Sequence, residues 1–545
     1  MRQPDGIADL IFLVHRCRAR AAGTPHGDAI AIAGGRVMLI DRRARVLRWR
    51  GRRTQVVELP QAVITPGLVD CHTHFFYWAL HRALGIDVSA LRSLDAVLHR
   101  IRAQARTRHV GDWVLARGFD PNLWTRGLPS ARDLDRIVPD RPVIVRSHDG
   151  HTAWLNTAAL RRAGITARTD DPPGGRIVRD ARGRPTGILH ESALESLPDP
   201  LRELARRSDA EVERSIEQAL SSAYRVAWEH GLVGVHSMED GTSLSHLMRH
   251  RLEGRLGLRV LHAVARQDLP KAVELGLRSG WGDEWLRLGG VKVFADGALG
   301  SQTAYMFDSY PGRRGHHGVP VTAGRELVEI VRAATRQGWA VWIHAIGDRA
   351  VHEAIIAIAA ARRFGRPALP HRIEHAQCVR PADVRRMARL GIVASVQPCH
   401  LPGDISIADR HWPRARRHAY PFRRLLAAGV TLAAGSDVPI EPLDPRGSLF
   451  GAVARTDPHG SPAGGWFPAQ RLTTAEVLHA FTRGAALAAG TTDATAGVLT
   501  RGAPADMTIW ADDPLRVGPQ TLREIGILGC VVGGRVHLRD DGGPS

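Results

Sequence analysis

One alternation restricts this chain more than any other feature. Between residues 62 and 437, short apolar runs of the kind that form buried strands alternate with helix-length amphipathic stretches. Eight runs qualify, at residues 62–75, 231–238, 258–264, 288–295, 340–347, 371–377, 393–400 and 431–437. Among the intervening segments, 325–337, 349–364 and 381–390 carry apolar residues at helical spacing. Repeated βα units imply a parallel sheet covered by helices, and eight of them predict a closed (β/α)₈ TIM barrel, with an open doubly wound sheet as the alternative.

The two ends of the chain have a different texture. Residues 29–40 and 45–59, and again 507–514 and 527–539, alternate apolar and polar positions around Gly-Gly and basic turns. That is antiparallel patterning. It predicts one small β-sandwich domain made from residues 1–61 and 465–545, flanking a barrel over 62–464. The first and second strands lie too far apart for an ordinary βα connection. Residues 80–228, with a strand-like run at 141–147 and a Gly/Pro/Asp-rich stretch at 170–187, therefore read as a subdomain inserted over the barrel mouth. The tail at 540–545 is expected to be disordered.

Composition excludes several classes. The chain has 545 residues, 44% hydrophobic and 24% charged, and no apolar run of the roughly 20 residues needed for a membrane helix. The apolar start at residues 10–14 follows acidic residues and precedes Arg16 and Arg18, unlike a secretory leader, so a cytoplasmic protein is expected. Five cysteines, Cys17, Cys71, Cys378, Cys399 and Cys530, occur without any CxxC pair. That argues against a disulfide framework and a thiolate zinc site. The net charge of +19 comes mainly from arginines spread along the whole chain, which predicts solvated basic faces and no nucleic-acid partner.

With 27 histidines in the chain, position has to sort them. His72 and His74 end the first run in LVDCHTH, and their i, i+2 spacing on an extended chain puts both imidazoles on one side. Such a pair is a seat for a divalent cation. His344 ends the fifth run, His375 the sixth and Asp437 the eighth. In a barrel all these ends meet on one face, where barrel enzymes carry out their chemistry. Lys292 lies between Val291 and Val293 and so faces away from them, into the barrel if they pack outward. A buried ammonium is driven toward the neutral amine, which can take up carbon dioxide as a bridging carbamate; an amine paired with Asp296 is the other reading. His236 ends the second run, as a contact for substrate or oxyanion or as a structural histidine. Trp124 and Trp154 in the insert either line a pocket or simply pack.

Several motifs together resemble the amidohydrolase superfamily, and within it amidohydrolase family 3, the group of YtcJ-like and N-substituted formamide deformylase-like proteins. They are TPGLVDCHTH, GFDPNLW, PDRPVIVRSHDGHTAWLNTAAL, GGRIVRDARGRPTGIL, VKVFADGALGS, IHAIGDRAV, RIEHAQ, GSDVPIEPLDP and GAPADMTIW. The resemblance implies a metal-dependent amidohydrolase that cleaves a C–N bond in an amide or N-substituted formamide with metal-activated water. His72, His74 and Asp437 would hold one ion, and carboxylated Lys292 would bridge to a second held by His344 and His375. The ions would be divalent metal, zinc first, in one or two copies. Asp437 would act as general base, and Asp149, Gly150 and His151 would border a small-molecule amide substrate; apart from the resemblance, the residues themselves put His236 forward as a catalytic assistant and Trp124 as a substrate-pocket residue. Where relatives commonly read GSRTA, this chain has Gln302, so no anionic substrate is carried over from the resemblance. A deaminase or cyclic-imide hydrolase on the same scaffold, and a non-catalytic regulatory sensor, are the alternatives; a homodimer is left open.

Overall fold

The computed structural model describes residues 6–18, 27–107, 109–121, 124, 127–172, 174–207 and 209–539. The tail at 540–545 lies outside them, as do residues 122 and 123 of GFDPNLW and residue 173 of the Gly/Pro/Asp-rich stretch.

The eight expected strands are present as β1 (Leu68–Thr73), β2 (Leu232–Ser237), β3 (Arg259–Ala265), β4 (Leu286–Phe294), β5 (Val341–Ala345), β6 (Arg372–His375), β7 (Val393–Val396) and β8 (Leu432–Ala434). They pair in sequence order, every neighbour parallel. The ring closes just beyond β8, where Thr73 bridges Val438 and the Asp437 amide donates to the His72 carbonyl at 2.8 Å. This is a (β/α)₈ TIM barrel. Helices lie where the periodicity puts them: Gly324–Arg336 buries Leu327, Val331, Ala334 and Thr335 along one stripe.

The first run differs from expectation by being two elements. Residues up to Pro66 finish a strand of the terminal sheet, Arg50–Pro66, and the barrel strand begins at Leu68. Gly67 makes the transition: its amide donates to Asp506 at 2.9 Å, and a Cβ there would sit 2.5 Å from the Val233 side chain. A larger residue could not pass between the two sheets so close to β2.

Among the described residues the terminal sheet has seven strands in the order Arg535–Leu538, Ile527–Val532, Met507–Trp510, Arg50–Pro66, Ala8–Cys17, Gly27–Ala33 and Arg36–Asp41, so the two chain ends do share one β unit. Leu10, Phe12 and Val14 pack on one face with Ile30, Met507 and Ile509, while Ile11 and Leu13 pack on the other with Ala31 and Val46. Residues 45–49, read from the sequence as the start of a strand, instead belong to a helical turn, Arg43–Val46, continued by Leu47–Trp49. Asp41 and Asp28 accept the amides of Arg42 and Arg43, satisfying donors that open a helix, and Val46 anchors the turn in the core. Helices Thr474–Phe481 and Arg483–Ala488 pack on β8 and β1, so the terminal sheet resumes only at Met507.

The insert carries its own six-stranded sheet, ordered Gly175–Arg179, Pro185–Glu191, Thr152–Leu155, Val143–Ser147, Val114–Phe119 and Ile86–Asp87. Alternation divides its residues. Val114, Ala116, Val143 and Val145 build a separate core with Trp154, while Leu115, Arg117, Ile144 and Arg146 turn toward the barrel mouth. Among the described residues no helix is long and apolar enough to cross a membrane, and all five cysteines are buried and unpaired by disulfides.

Candidate metal centre

The C-terminal ends of the barrel strands and the insert enclose a cavity of about 460 Å³. His72, His74, Lys292, His344, His375 and Asp437 all line it, from five different strand ends. Ligand atoms of His72, His375 and Asp437 lie within 4.8 Å of one another. Asp437 Oδ1 is 3.4 Å from His72 Nε2 and 3.5 Å from His74 Nε2, and Lys292 Nζ is 3.4 Å from His72 Nε2. The His344 and His375 rings are 4.5 Å apart. Lys292 projects inward while Val291 and Val293 join the core on the other side.

Each buried imidazole has one nitrogen tied to protein. His72 Nδ1 lies 2.7 Å from Glu374 Oε2, His375 Nδ1 is 2.8 Å from Gln397 Oε1, and His344 Nε2 is 3.1 Å from the Gly297 carbonyl. An oxygen acceptor on one nitrogen places the proton there and leaves the other nitrogen's lone pair free, which is how metal-binding histidines are oriented. Burial holds His72, His344 and His375 well below the usual histidine pKa, so they are neutral, as a ligand must be. Burial also pushes Asp437 up and Lys292 down, toward a neutral amine. The residues therefore fit a divalent cation.

Glu374 was not legible as part of the site. Strand alternation turns it away from His375, its chain neighbour. The backbone breaks that rule: His375 has φ 71° and Ala376 φ 45°, so β6 ends in a left-handed turn and both side chains reach the centre. Asp437, at φ 61°, is presented in the same way. Positive φ in non-glycine residues costs about 1–3 kcal/mol each and persists where surrounding contacts over-determine it. Here Asp70 supplies part of that constraint, accepting the amides of His72 and Ser436 and so clamping the ends of β1 and β8 together. Burial raises its carboxyl to about 6.

Beneath the ligands lies a fully buried arginine. Arg372 donates to His236 Nδ1 at 3.0 Å, the Cys71 carbonyl at 2.6 Å, Ser395 Oγ at 2.9 Å and Glu374 Oε2 at 3.2 Å. Its guanidinium stacks on Trp342 at 4.2 Å. His236, expected to touch substrate, belongs to this under-layer and does not line the cavity; its Nδ1 is taken up by Arg372. Trp124 is likewise displaced from its expected place. It packs against Phe119 and Trp154 in the insert's own core, which needs large apolar rings to fill it. Asp296, the alternative partner for Lys292, is occupied instead by the amides of Tyr305, Ile346 and Gly347.

Asp149, Gly150 and His151 line the cavity, as does Glu191, which sequence reasoning passed over. His151 Nδ1 is 2.8 Å from Glu191 Oε2, and its ring is 5.7 Å from that of His344. Burial works against the imidazolium, but Glu191 and Asp149 outweigh it and raise the pKa to about 9. The insert thus contributes a cation beside the strand-end cluster.

A TIM barrel with imidazoles and a carboxylate gathered at its strand ends, under a walled cavity, defines a barrel hydrolase. A family model described as the amidohydrolase family matches residues 55–537, and the chain belongs to that family. YtcJ of Bacillus subtilis, which carries an amidohydrolase name, is 30% identical over 492 residues, covering 89% of this chain and 90% of that one. The N-substituted formamide deformylase of Arthrobacter pascens is 27% identical over 547 residues, covering 98% and 99%. The crystal structure of a metal-dependent hydrolase from Pyrococcus horikoshii, itself uncharacterized, is 25% identical with a TM-score of 0.75, covering 94% of this chain and 99% of that one.

Proposed function

We propose that this protein is a metal-dependent amidohydrolase that hydrolyses a C–N bond in a small amide or N-substituted formamide. One observation carries the reading: donor atoms of His72, His375 and Asp437 converge within 4.8 Å, with the remaining nitrogen of each histidine held by Glu374 or Gln397. Imidazole and carboxylate donors suit zinc, with His72, His74 and Asp437 as one ligand set and His344 and His375 as a second. Lys292, lowered toward its neutral form, would be the residue to take up carbon dioxide as a carbamate and so add an anionic oxygen donor to the centre. A bound divalent cation supplies Lewis-acid activation of water and of a carbonyl.

The chain's own residues supply the rest. Asp437 accepts the proton of the attacking water and later returns it to the departing amine nitrogen, so that the C–N bond breaks to give acid and free amine. Positioned bases of this kind contribute about 10²–10⁴-fold. His151, protonated and fixed by Glu191, offers its Nε2–H to the substrate oxygen as negative charge develops there. The insert covers the mouth and limits water.

The test is zinc-, manganese- or cobalt-loaded protein assayed against N-substituted formamides, simple amides, cyclic imides and amino-heterocycles, following release of amine, acid or ammonia. Formamide or amide turnover supports the reading. Ammonia from amino-heterocycles alone would make it a deaminase, and ring opening of imides alone a cyclic-imide hydrolase. Tight binding without turnover across the metal-loaded panel would make it a sensor.

A further inference from the structure

The metal end of the cavity accounts for one half of a substrate; the wall that the insert supplies says something about the other half. Two adjacent strands of the insert, Val114–Phe119 and Val143–Ser147, run parallel with Leu115 beside Ile144 and Arg117 beside Arg146. All four side chains line the cavity. Arg117 is already engaged: it donates to the Pro439 carbonyl and sits 3.4 Å from Asp87. Arg146 has no hydrogen bond or ion pair among the described residues. The nearby Asp199 acts on it only through space: Asp199 caps its own helix by accepting the Arg202 amide at 3.1 Å, while the Arg202 side chain lies 2.8 Å from Asp240. Burial pushes both guanidiniums below the ordinary arginine pKa. Arg146 is half-buried, and a guanidinium drawn partly out of water without a contact partner gains when a bidentate anion fills its fork.

We propose that Arg146, flanked by Arg117, is an anion subsite, and that the preferred substrate is an amide bearing a carboxylate at the end remote from the scissile bond. The charge balance selects the anion. Asp87 and the Pro439 carbonyl already engage Arg117, and Asp240 engages Arg202 at 2.8 Å, so among the described residues Arg146 is the guanidinium of this wall without a contact partner; a monoanionic carboxylate fits its fork, and with the Asp199 carboxylate also lining the cavity a phosphate dianion would overfill it. Leu115, Ile144 and Trp78 line the same cavity and give an apolar passage for the connecting carbons. The proposal deepens the amidohydrolase reading and rests on it only for the chemistry at the metal end.

The probes are N-formyl ω-amino acids of increasing chain length, each paired with its uncharged dimethylamide. At one chain length the acid should exceed its dimethylamide in kcat/KM by about 10- to 100-fold, the span of a charge-assisted hydrogen-bonded pair. Arg146→Gln should remove most of that preference, and Arg146→Lys should keep part of it, since a point charge replaces a fork. Calorimetric binding of the same pairs to Asp437→Asn protein gives a readout that needs no turnover. Equal kcat/KM for acid and dimethylamide, or a preference that survives in folded Arg146→Gln protein, overturns the subsite while leaving the amidohydrolase reading intact. If none of these compounds is hydrolysed, the amidohydrolase reading is decided by the wider panel above, and the subsite by calorimetry alone: acid-selective binding lost with Arg146→Gln upholds it, and indifferent binding overturns it. Should Arg146→Gln not fold, Arg146→Lys carries the same comparison.

Discussion

Asp437 and Glu374 illustrate two ways a carboxylate can serve the same centre. Asp437 faces the cavity with burial raising its pKa, which suits a group that must take a proton and give it back. Asp437→Asn should therefore keep metal, measured by elemental analysis, while kcat falls by about 10²–10⁴-fold in steady-state assays. Glu374 never meets substrate. Held by Arg372 at 3.2 Å, it orients His72, so it is a positioning residue. Glu374→Gln should weaken metal binding about 10- to 100-fold, read by competition with a chromophoric chelator, and zinc in excess should restore most of the lost kcat. A purely structural role would not be rescued by metal.

Secondary-structure elements here depend on local caps that respond to pH. Helix Thr474–Phe481, which packs on β8 and β1, opens with a capping box between Thr473 and Glu476. Glu476 is also gripped by Arg423 through two hydrogen bonds of 2.6 Å. Those bonds lower its pKa to about 2, against the ordinary glutamate value near 4.3. A carboxylate depressed on folding stabilises the folded state fully above its unfolded pKa, and the contribution disappears as pH falls through the folded one. Glu476→Gln should thus cost about 1 kcal/mol at neutral pH, and the difference in Tm from the parent should be level above about pH 5 and vanish toward pH 2. Thr473→Ala, which leaves the Arg423 pair but removes the hydroxyl that also donates to Glu476, should cost about 1 kcal/mol with a weaker form of the same pH dependence.

At the scale of the whole molecule, the centre links strands far apart in sequence, so ligand binding and folding are coupled. His72 lies on β1, Lys292 on β4, His344 on β5 and His375 on β6, with Asp437 just beyond β8. A cation that binds only the folded barrel should add about 2.7 kcal/mol of stability at a free concentration 100 times its Kd. Chelator-treated protein should accordingly melt earlier, regain its Tm on zinc titration, and keep its far-ultraviolet circular dichroism throughout. Unfolding on chelation would mean that the ring of strands needs metal to close.

The barrel, the β unit made from both chain ends, and the convergence of His72, His74, Lys292, His344, His375 and Asp437 were legible in the sequence, because they follow from periodicities of 2 and 3.6 residues that each segment carries locally. Tertiary structure alone decided which of two neighbouring residues turns inward. Glu374 joins His375 because φ reverses at the end of β6, and His236 is withdrawn because Arg372 claims it from another strand. Trp124 went to the insert's core for the same kind of reason: a competing apolar cluster, assembled from distant segments, buries it. Local pattern determines which face of an element is apolar. Pairings between distant side chains, and the backbone turns those pairings hold in place, exist only once the elements have come together.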